Sequence, residues 1–215
     1  MRAFPVRAAL LAMIVALPLP ALAQIDEEGP IRKGLWDFSV VTGWNTFNTA
    51  EFNLPGAKVD LDIDDSPFIG LRGEGHFTEN VGFAMGFTFT RPNYTSTVKA
   101  PGFGTIKAGG DVAINWIDAD LTWRIVKKRH TPYVLGGIAA FNGAFKKIDP
   151  DTFVEEYRWE WHAAAGYEWH LREHLLVNVG VRARLTEFAN QSNNLVALQG
   201  VVGLGYRSGP PKNSW

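Results

Sequence analysis

The fold turns on YRWEWHAAAGYEWH, residues 157–170, in which ring and charge alternate for much of its length. Tyr157, Trp159, Trp161, Tyr167 and Trp169 take odd positions; Arg158, Glu160, His162, Glu168 and His170, with Glu156 just before them, take even ones. Successive side chains of a β-strand point to opposite faces, so this reads as one strand with an aromatic face and an ionic face. Glutamates and histidines sharing a face suit a catalytic or metal cluster. They suit equally the wet, ion-paired side of a wall.

The N-terminus sets the compartment. Arg2 and Arg7 precede AALLAMIVALPLPA, which leads into Ala21-Leu22-Ala23. A basic head, a short apolar segment and an A-x-A site predict a secretory signal peptide over residues 1–23, cut before Gln24. Pro18 and Pro20 interrupt the run short of the roughly 20 residues that a spanning helix needs. Removing Arg2 and Arg7 from the 21 basic residues leaves 19 against 22 acidic ones, a formal charge of −3. That balance gives no argument for nucleic acid as a partner. There is no cysteine, so an exported fold has no disulfide framework to rely on. Residues 24–215 then form one domain.

Almost all of that domain reads with a period of two. Besides residues 157–170, strands are predicted over 34–45, 67–77, 81–90, about 113–125, 132–141, about 175–185 and 195–207. Short turns join the second to the third strand, the fourth to the fifth and the sixth to the seventh. Longer segments, 46–66, 91–112, 142–155 and 186–194, read as loops at the opposite end. The expectation is an all-β, eight-stranded antiparallel up-and-down barrel that spans a membrane.

Which face meets oil follows from bulk and placement. A soluble eight-stranded barrel has room inside for little beyond its own side chains, and the aromatic set here would overfill it. Trp36, Phe77, Phe83, Trp123, Tyr133, Trp169 and Tyr206 lie toward the short-turn ends of their strands; Trp44, Phe89, Phe141, Trp159 and Trp161 lie toward the long-loop ends. Two aromatic belts flanking an aliphatic band match the two interfaces of a bilayer. From Trp36 to Trp44 the chain climbs about 20 Å along the membrane normal for strands tilted about 40°. The apolar face is therefore assigned to lipid and these twelve aromatics to the interfaces.

The other face then lines the lumen. It carries Asp37, Arg72, Glu74, His76, Asp118, Asp120, Arg124, Arg158, Glu160, His162, Glu168, His170, Arg182, Arg184 and Arg207. Acids and arginines are nearly matched, as expected of ions that fill a narrow interior, since buried charge is tolerated only when paired. Pairing about the turn at residues 171–174 sets Arg184 opposite His162 and diagonal to Glu160. Small Gly82, Ala84 and Gly86 leave space for Arg72, Glu74 and His76.

GLRGEGHFTENVGFAMGFTFT, residues 70–90, resembles the outer-membrane β-barrel domain superfamily, and TPYVLGGIAAF (131–141) and AAAGYEWHLREHLLVNVGVRAR (163–184) agree with it. The nearest relatives are small eight-stranded barrels like the outer-membrane protein A transmembrane domain and opacity-type proteins. The resemblance implies a Gram-negative outer-membrane location, contact with outer-membrane lipid and lipopolysaccharide, and a barrel-insertion machinery as partner during biogenesis. That machinery reads a terminal aromatic, a role open to Tyr206 or Trp215. The superfamily includes anchors, adhesins, defence proteins and a few lipid-modifying enzymes, so activity stays open.

No catalytic, cofactor or metal residue is assigned. HExxH is absent, and no ligand spacing is compact. A lipid A deacylase would need a Ser-His-acid set; Ser39 lies inward, and no His-x-Ser-Asn element occurs. KVDLDIDD, residues 58–65, lacks the glycine and terminal glutamate of an EF-hand and reads as a solvated extension of the second strand. Lys127, Lys128 and Arg129 cap a turn, and GFGTIKAGG, residues 102–110, reads as a flexible loop. The expected function is a monomeric structural or surface-interaction protein, acting through extracellular loops on an unidentified ligand, with a lumen plugged by ion pairs. A lipid A-modifying enzyme, whether deacylase or oxidase, and a narrow diffusion channel are the alternatives.

Overall fold

The computed structural model describes residues 33–102, 104–125, 130–146, 153–172, 174–186 and 195–208. The segment predicted as a signal peptide, the Lys127–Arg129 turn and Trp215 fall outside them. The described chain forms β1 (Trp36–Phe47), β2 (Ala50–Leu54), β3 (Ala57–Ile63), β4 (Ser66–His76), β5 (Val81–Thr90), β6 (Asn93–Ala100), β7 (Gly104–Arg124), β8 (His130–Lys146), β9 (Phe153–His170), β10 (Leu175–Thr186) and β11 (Leu195–Ser208).

Eight of these close a barrel. The order β7-β5-β4-β1-β11-β10-β9-β8 returns to its start because β7 also pairs with β8, and each of these pairings is antiparallel. Closure leaves no edge in the barrel wall, which a strand architecture in lipid requires. The outward positions carry the exposed apolar residues, among them Trp36, Phe38, Leu71, Met85, Leu121 and Leu204.

Two segments read from sequence as loops are instead strands. The run 46–66 contains the β2–β3 hairpin, and 91–112 contains β6 and the first part of β7. The expected flexible loop at 102–110 is largely β-strand from Gly104 onward, and residues 58–63 belong to β3 rather than extending β4. Both hairpins turn on Pro-Gly: Gly56 at φ 79° follows Pro55, and Gly102 at φ 82° follows Pro101. Proline presets the first turn position and glycine accepts the positive φ of the next, which is why the chain reverses there.

These additions make a second sheet, β2-β3-β6-β7, in which β6 pairs with residues 104–111 of β7 beyond the barrel rim. β7 is 21 residues long, about twice the 9–11 that cross a bilayer, so its first half stands clear of the membrane. Parity gives this flap two unlike faces. Phe52, Val59, Val98 and Ile106 form one cross-strand row; Glu51, Asp60, Thr97 and Lys107 form a row on the reverse. Lys58 bridges Glu51 at 2.8 Å, and Lys99 bridges Asp60 at 2.7 Å.

Candidate functional site

Inside the barrel the inward positions of every wall strand meet. At the short-turn end Arg207 donates from Nε to Asp37 Oδ1 (2.7 Å) and from Nη2 to Oδ2 (2.6 Å). His76 Nε2 lies 2.7 Å from the same Oδ2. Arg124 spans Glu74 (2.7 Å) and Glu168 (2.9 Å), and His170 Nε2 lies 2.6 Å from Glu168. Arg72 donates to Asp120 and to Thr122 Oγ1 (2.9 Å).

Higher in the lumen Asp120 also meets His162, and Arg182 donates to Asp118 at 2.7 Å. Arg184 is the hub. It donates to Asp118 (2.8 and 2.9 Å), Glu160 (2.6 Å) and Gln199 (2.7 Å), and Gln199 passes the chain to Asn45 at 2.8 Å. The register sets Arg184 opposite His162. Bidentate guanidinium–carboxylate geometry is what makes such burial sustainable.

Room for these long side chains comes from small residues across the wall. His76, Glu74 and Arg72 pair with Gly82, Ala84 and Gly86. A Cβ on Gly82 would come within 2.4 Å of Glu74 Oε1. An internal void of about 50 Å³ remains between the two ionic levels, lined by Arg72, Thr122, Tyr133, Asn178 and Arg182 among others. That is space for a few water molecules.

Above the ions the lumen becomes apolar. Phe47, Val112, Ile114, Trp116, Phe141 and Leu195 are buried together at the long-loop end, and Ala50, Leu61 and Ile63 of the β2–β3 hairpin pack onto them. The flap thus lies with the base of its apolar face over the barrel mouth. Trp116 joins the layers: its ring meets Phe141 edge-on at 6.1 Å, Arg184 sits 4.8 Å over it, and its Nε1 donates to Glu160 at 2.9 Å.

Of the predicted lumen residues, Arg158 stands apart. It lies at the rim, its side chain 36 % exposed, where it bridges Glu156 at 2.9 Å. β9 climbs past the bilayer, so its upper even positions face the mouth rather than the filled core. Of the predicted interface aromatics, Trp36, Trp44, Phe77, Phe83, Phe89, Trp123, Trp159, Trp161 and Tyr206 are exposed on the outer side. Trp169 is half-buried and tilts against Tyr167 at 5.0 Å.

Tyr133 and Phe141 correct the prediction. Both face the lumen, because β8 pairs Ala139 with Asp118 and Gly137 with Asp120, which fixes its odd positions inward. β8 has small or apolar residues on both faces, so its own sequence carries no charge to mark the inner one. Tyr133 lies against Gly166 and Gly180, themselves paired, where an added Cβ would come within 2.6 and 2.8 Å of its hydroxyl oxygen. Trp116, Asn45 and Gln199 belong to the site as well. Each shares the parity of a charged inward residue on its strand, the signal that marks them.

Among the described residues no group of three or more His, Asp or Glu is placed to hold a metal ion. The arrangement is a set of paired ions beneath a layer of buried apolar side chains.

Known proteins fit this architecture. OprG of Pseudomonas aeruginosa is similar at 18 % identity and TM-score 0.60, over 86 % of this chain and 100 % of its own. Neisserial surface protein A is similar at 11 % identity and TM-score 0.57, over 81 % and 97 %. Ail, the attachment invasion locus protein of Yersinia pestis, is similar at 14 % identity and TM-score 0.52, over 82 % and 99 %. No curated protein matches in sequence. The family model of the outer membrane protein beta-barrel domain matches residues 9–207, and the chain belongs to that family.

Proposed function

We propose that this outer-membrane barrel is a closed support for an extracellular surface-interaction element, exported by a cleavable signal peptide over residues 1–23. The observation that carries the reading is the double filling of the lumen. Arg184, Asp118 and Glu160 occupy its middle, and Trp116, Phe141, Leu61 and Ile63 seal its mouth. Charges bonded to one another do not serve a passing ion, and an apolar layer above them raises the cost of any ion that enters. The partner-facing surface is the flap, which presents Glu51, Lys58, Asp60, Lys99 and Lys107 on its polar side. Lipopolysaccharide surrounds it, and the insertion machinery meets it during assembly.

Planar-bilayer recording tests the closed lumen: the purified protein gives no stable openings, and discrete conductance steps would replace this reading with the channel. Mass spectrometry of lipid A from deletion and overexpressing cells tests the rival enzyme. Identical profiles are expected, and a lost or added acyl or hydroxyl group would overturn the non-enzymatic reading.

A further inference from the structure

The lipid-facing wall is hollowed where β11, β1, β4 and β5 run side by side. On β4 the outward positions below Leu71 carry no side chain: they are Gly73 and Gly75. Pairing sets Gly73 between Phe38 and Met85, and Gly75 between Trp36 and Phe83. The rings of Trp36 and Phe38 stack at 6.4 Å and 15° and lie over these glycines: an added Cβ would fall 3.1 Å from Trp36 at Gly75 and 3.5 Å from Phe38 at Gly73. A groove of about 720 Å³ opens among them and extends to Leu204 and Tyr206. Its size falls in the roughly 300–1,000 Å³ range of ligand sites, and its lining is apolar as theirs is.

We propose that this groove holds one acyl chain of a diacyl phospholipid from the leaflet on the short-turn side, with the lipid phosphate set against His174. Position identifies the occupant. The groove opens into the hydrocarbon band, at the strand ends that adjoin the turns at residues 77–80 and 171–174. Left empty, such a hollow forfeits dispersion contacts on both sides, so a chain that enters it is held more firmly than one against a flush wall. At the rim the His174 ring stacks on Tyr206 at 5.4 Å and 23°. Its Nδ1 lies 3.0 Å from the Arg207 carbonyl, an acceptor, so Nδ1 carries the hydrogen. Nε2 is then the nitrogen left for an outside group, and an imidazolium there donates one hydrogen to the Arg207 carbonyl and the other to a phosphate oxygen.

The test uses the full-length folded chain in detergent, offered palmitoyl-oleoyl phosphatidylethanolamine or the matching diacylglycerol, with native mass spectrometry as readout. One phosphatidylethanolamine is expected to survive activation that strips the detergent. Gly73→Leu adds a Cβ at an ordinary 3.5 Å from the Phe38 ring and fills the groove. It should lower retention roughly tenfold, the effect of unburying about two methylenes. Ala183→Leu adds the same kind of bulk at an exposed position of β10 and should leave retention unchanged. His174→Ala should weaken retention of the phospholipid and not of the diacylglycerol. Equal retention by wild type and Gly73→Leu, or an equal loss in Ala183→Leu, would overturn the groove; equal retention of both lipids by wild type would overturn the phosphate contact. Heat-dependent gel migration verifies that each variant is folded.

Discussion

Trp116 donates its indole N–H to Glu160 at 2.9 Å, and that bond marks the level at which the interior changes from ions to oil. Below it Glu160 also receives Arg184 (2.6 Å) and Thr186 (2.8 Å); above it Trp116 packs against Phe141. Glu160 is 1 % exposed, so no water substitutes for a lost partner. Breaking a buried pair leaves an uncompensated charge and costs about 3–5 kcal/mol. Glu160→Gln should therefore lower barrel stability by about that much in urea unfolding from lipid vesicles followed by tryptophan fluorescence. Arg184→Met alone should cost a similar amount, and the double variant should recover part of the loss. Purely additive losses would show that the two residues are not coupled in the folded barrel.

Tyr133 supplies a second test, because its inward position depends on paired glycines. Removing the ring should enlarge the void of about 50 Å³ and cost on the order of 3–5 kcal/mol, as for other buried aromatics. Gly180→Ala brings a Cβ within 2.8 Å of both the Tyr133 hydroxyl oxygen and the Ala165 carbonyl oxygen and should destabilise the wild type, only the first of these clashes being removable at Tyr133. The same change should be milder in a Tyr133→Ala background, with about 1 kcal/mol or more of coupling. A tyrosine facing lipid would show neither the large loss nor the coupling.

The same tyrosine shows what the sequence could reveal. Barrel class, wall strands and most of the lumen set were legible, because charge and ring alternate on β9 and the small residues of β5 match the bulky ones of β4. β8 hides its inner face because alternation fails there: Tyr133, Leu135, Ala139 and Phe141 face inward without a charge among them. Its parity follows only from pairing with Asp118 and Asp120, a tertiary fact. The flap is marked in the sequence by its turns. Pro55-Gly56 and Pro101-Gly102 are turn signals, and Ala50, Phe52, Val59, Leu61 and Ile63 alternate around the first. Parity sets Arg158 on the lumen face of β9 but does not give its height, which is at the rim.

On the flap, Lys99 beside Asp60, with Lys58 next, holds the Asp60 carboxyl below its ordinary value of 3.8. A carboxyl lowered on folding contributes stability that is present above the ordinary value and is lost as pH falls through the lowered one. Local protection of β3 and β6 amides in hydrogen exchange should thus be flat from pH 7 to about 4, once corrected for intrinsic rates, and decline only below it. Asp60→Asn should remove the decline. Because these side chains lie in water, 1 M salt should shrink the effect, its Debye length being about 3 Å. A decline centred near pH 6 would implicate a histidine instead.

The ionic and apolar layers lie one above the other in the lumen, which makes their separate removal a test of the proposed closure. Replacing residues 50–63 by a short Gly-Ser link removes Leu61 and Ile63 from the mouth and leaves the ions below intact. Arg184, Asp118 and Glu160 still satisfy one another, so this variant should show no stable openings in planar bilayers. Replacing Arg182 and Arg184 by serine together with Asp118 and Glu160 empties the middle without leaving an odd charge, but Trp116 and Phe141 still meet above it. That variant too should remain closed, at reduced stability. Only the combination should conduct, in steps of uniform size. If the flap deletion alone conducts, the ions do not close the lumen, and the closed-barrel reading fails at its centre rather than at its rim.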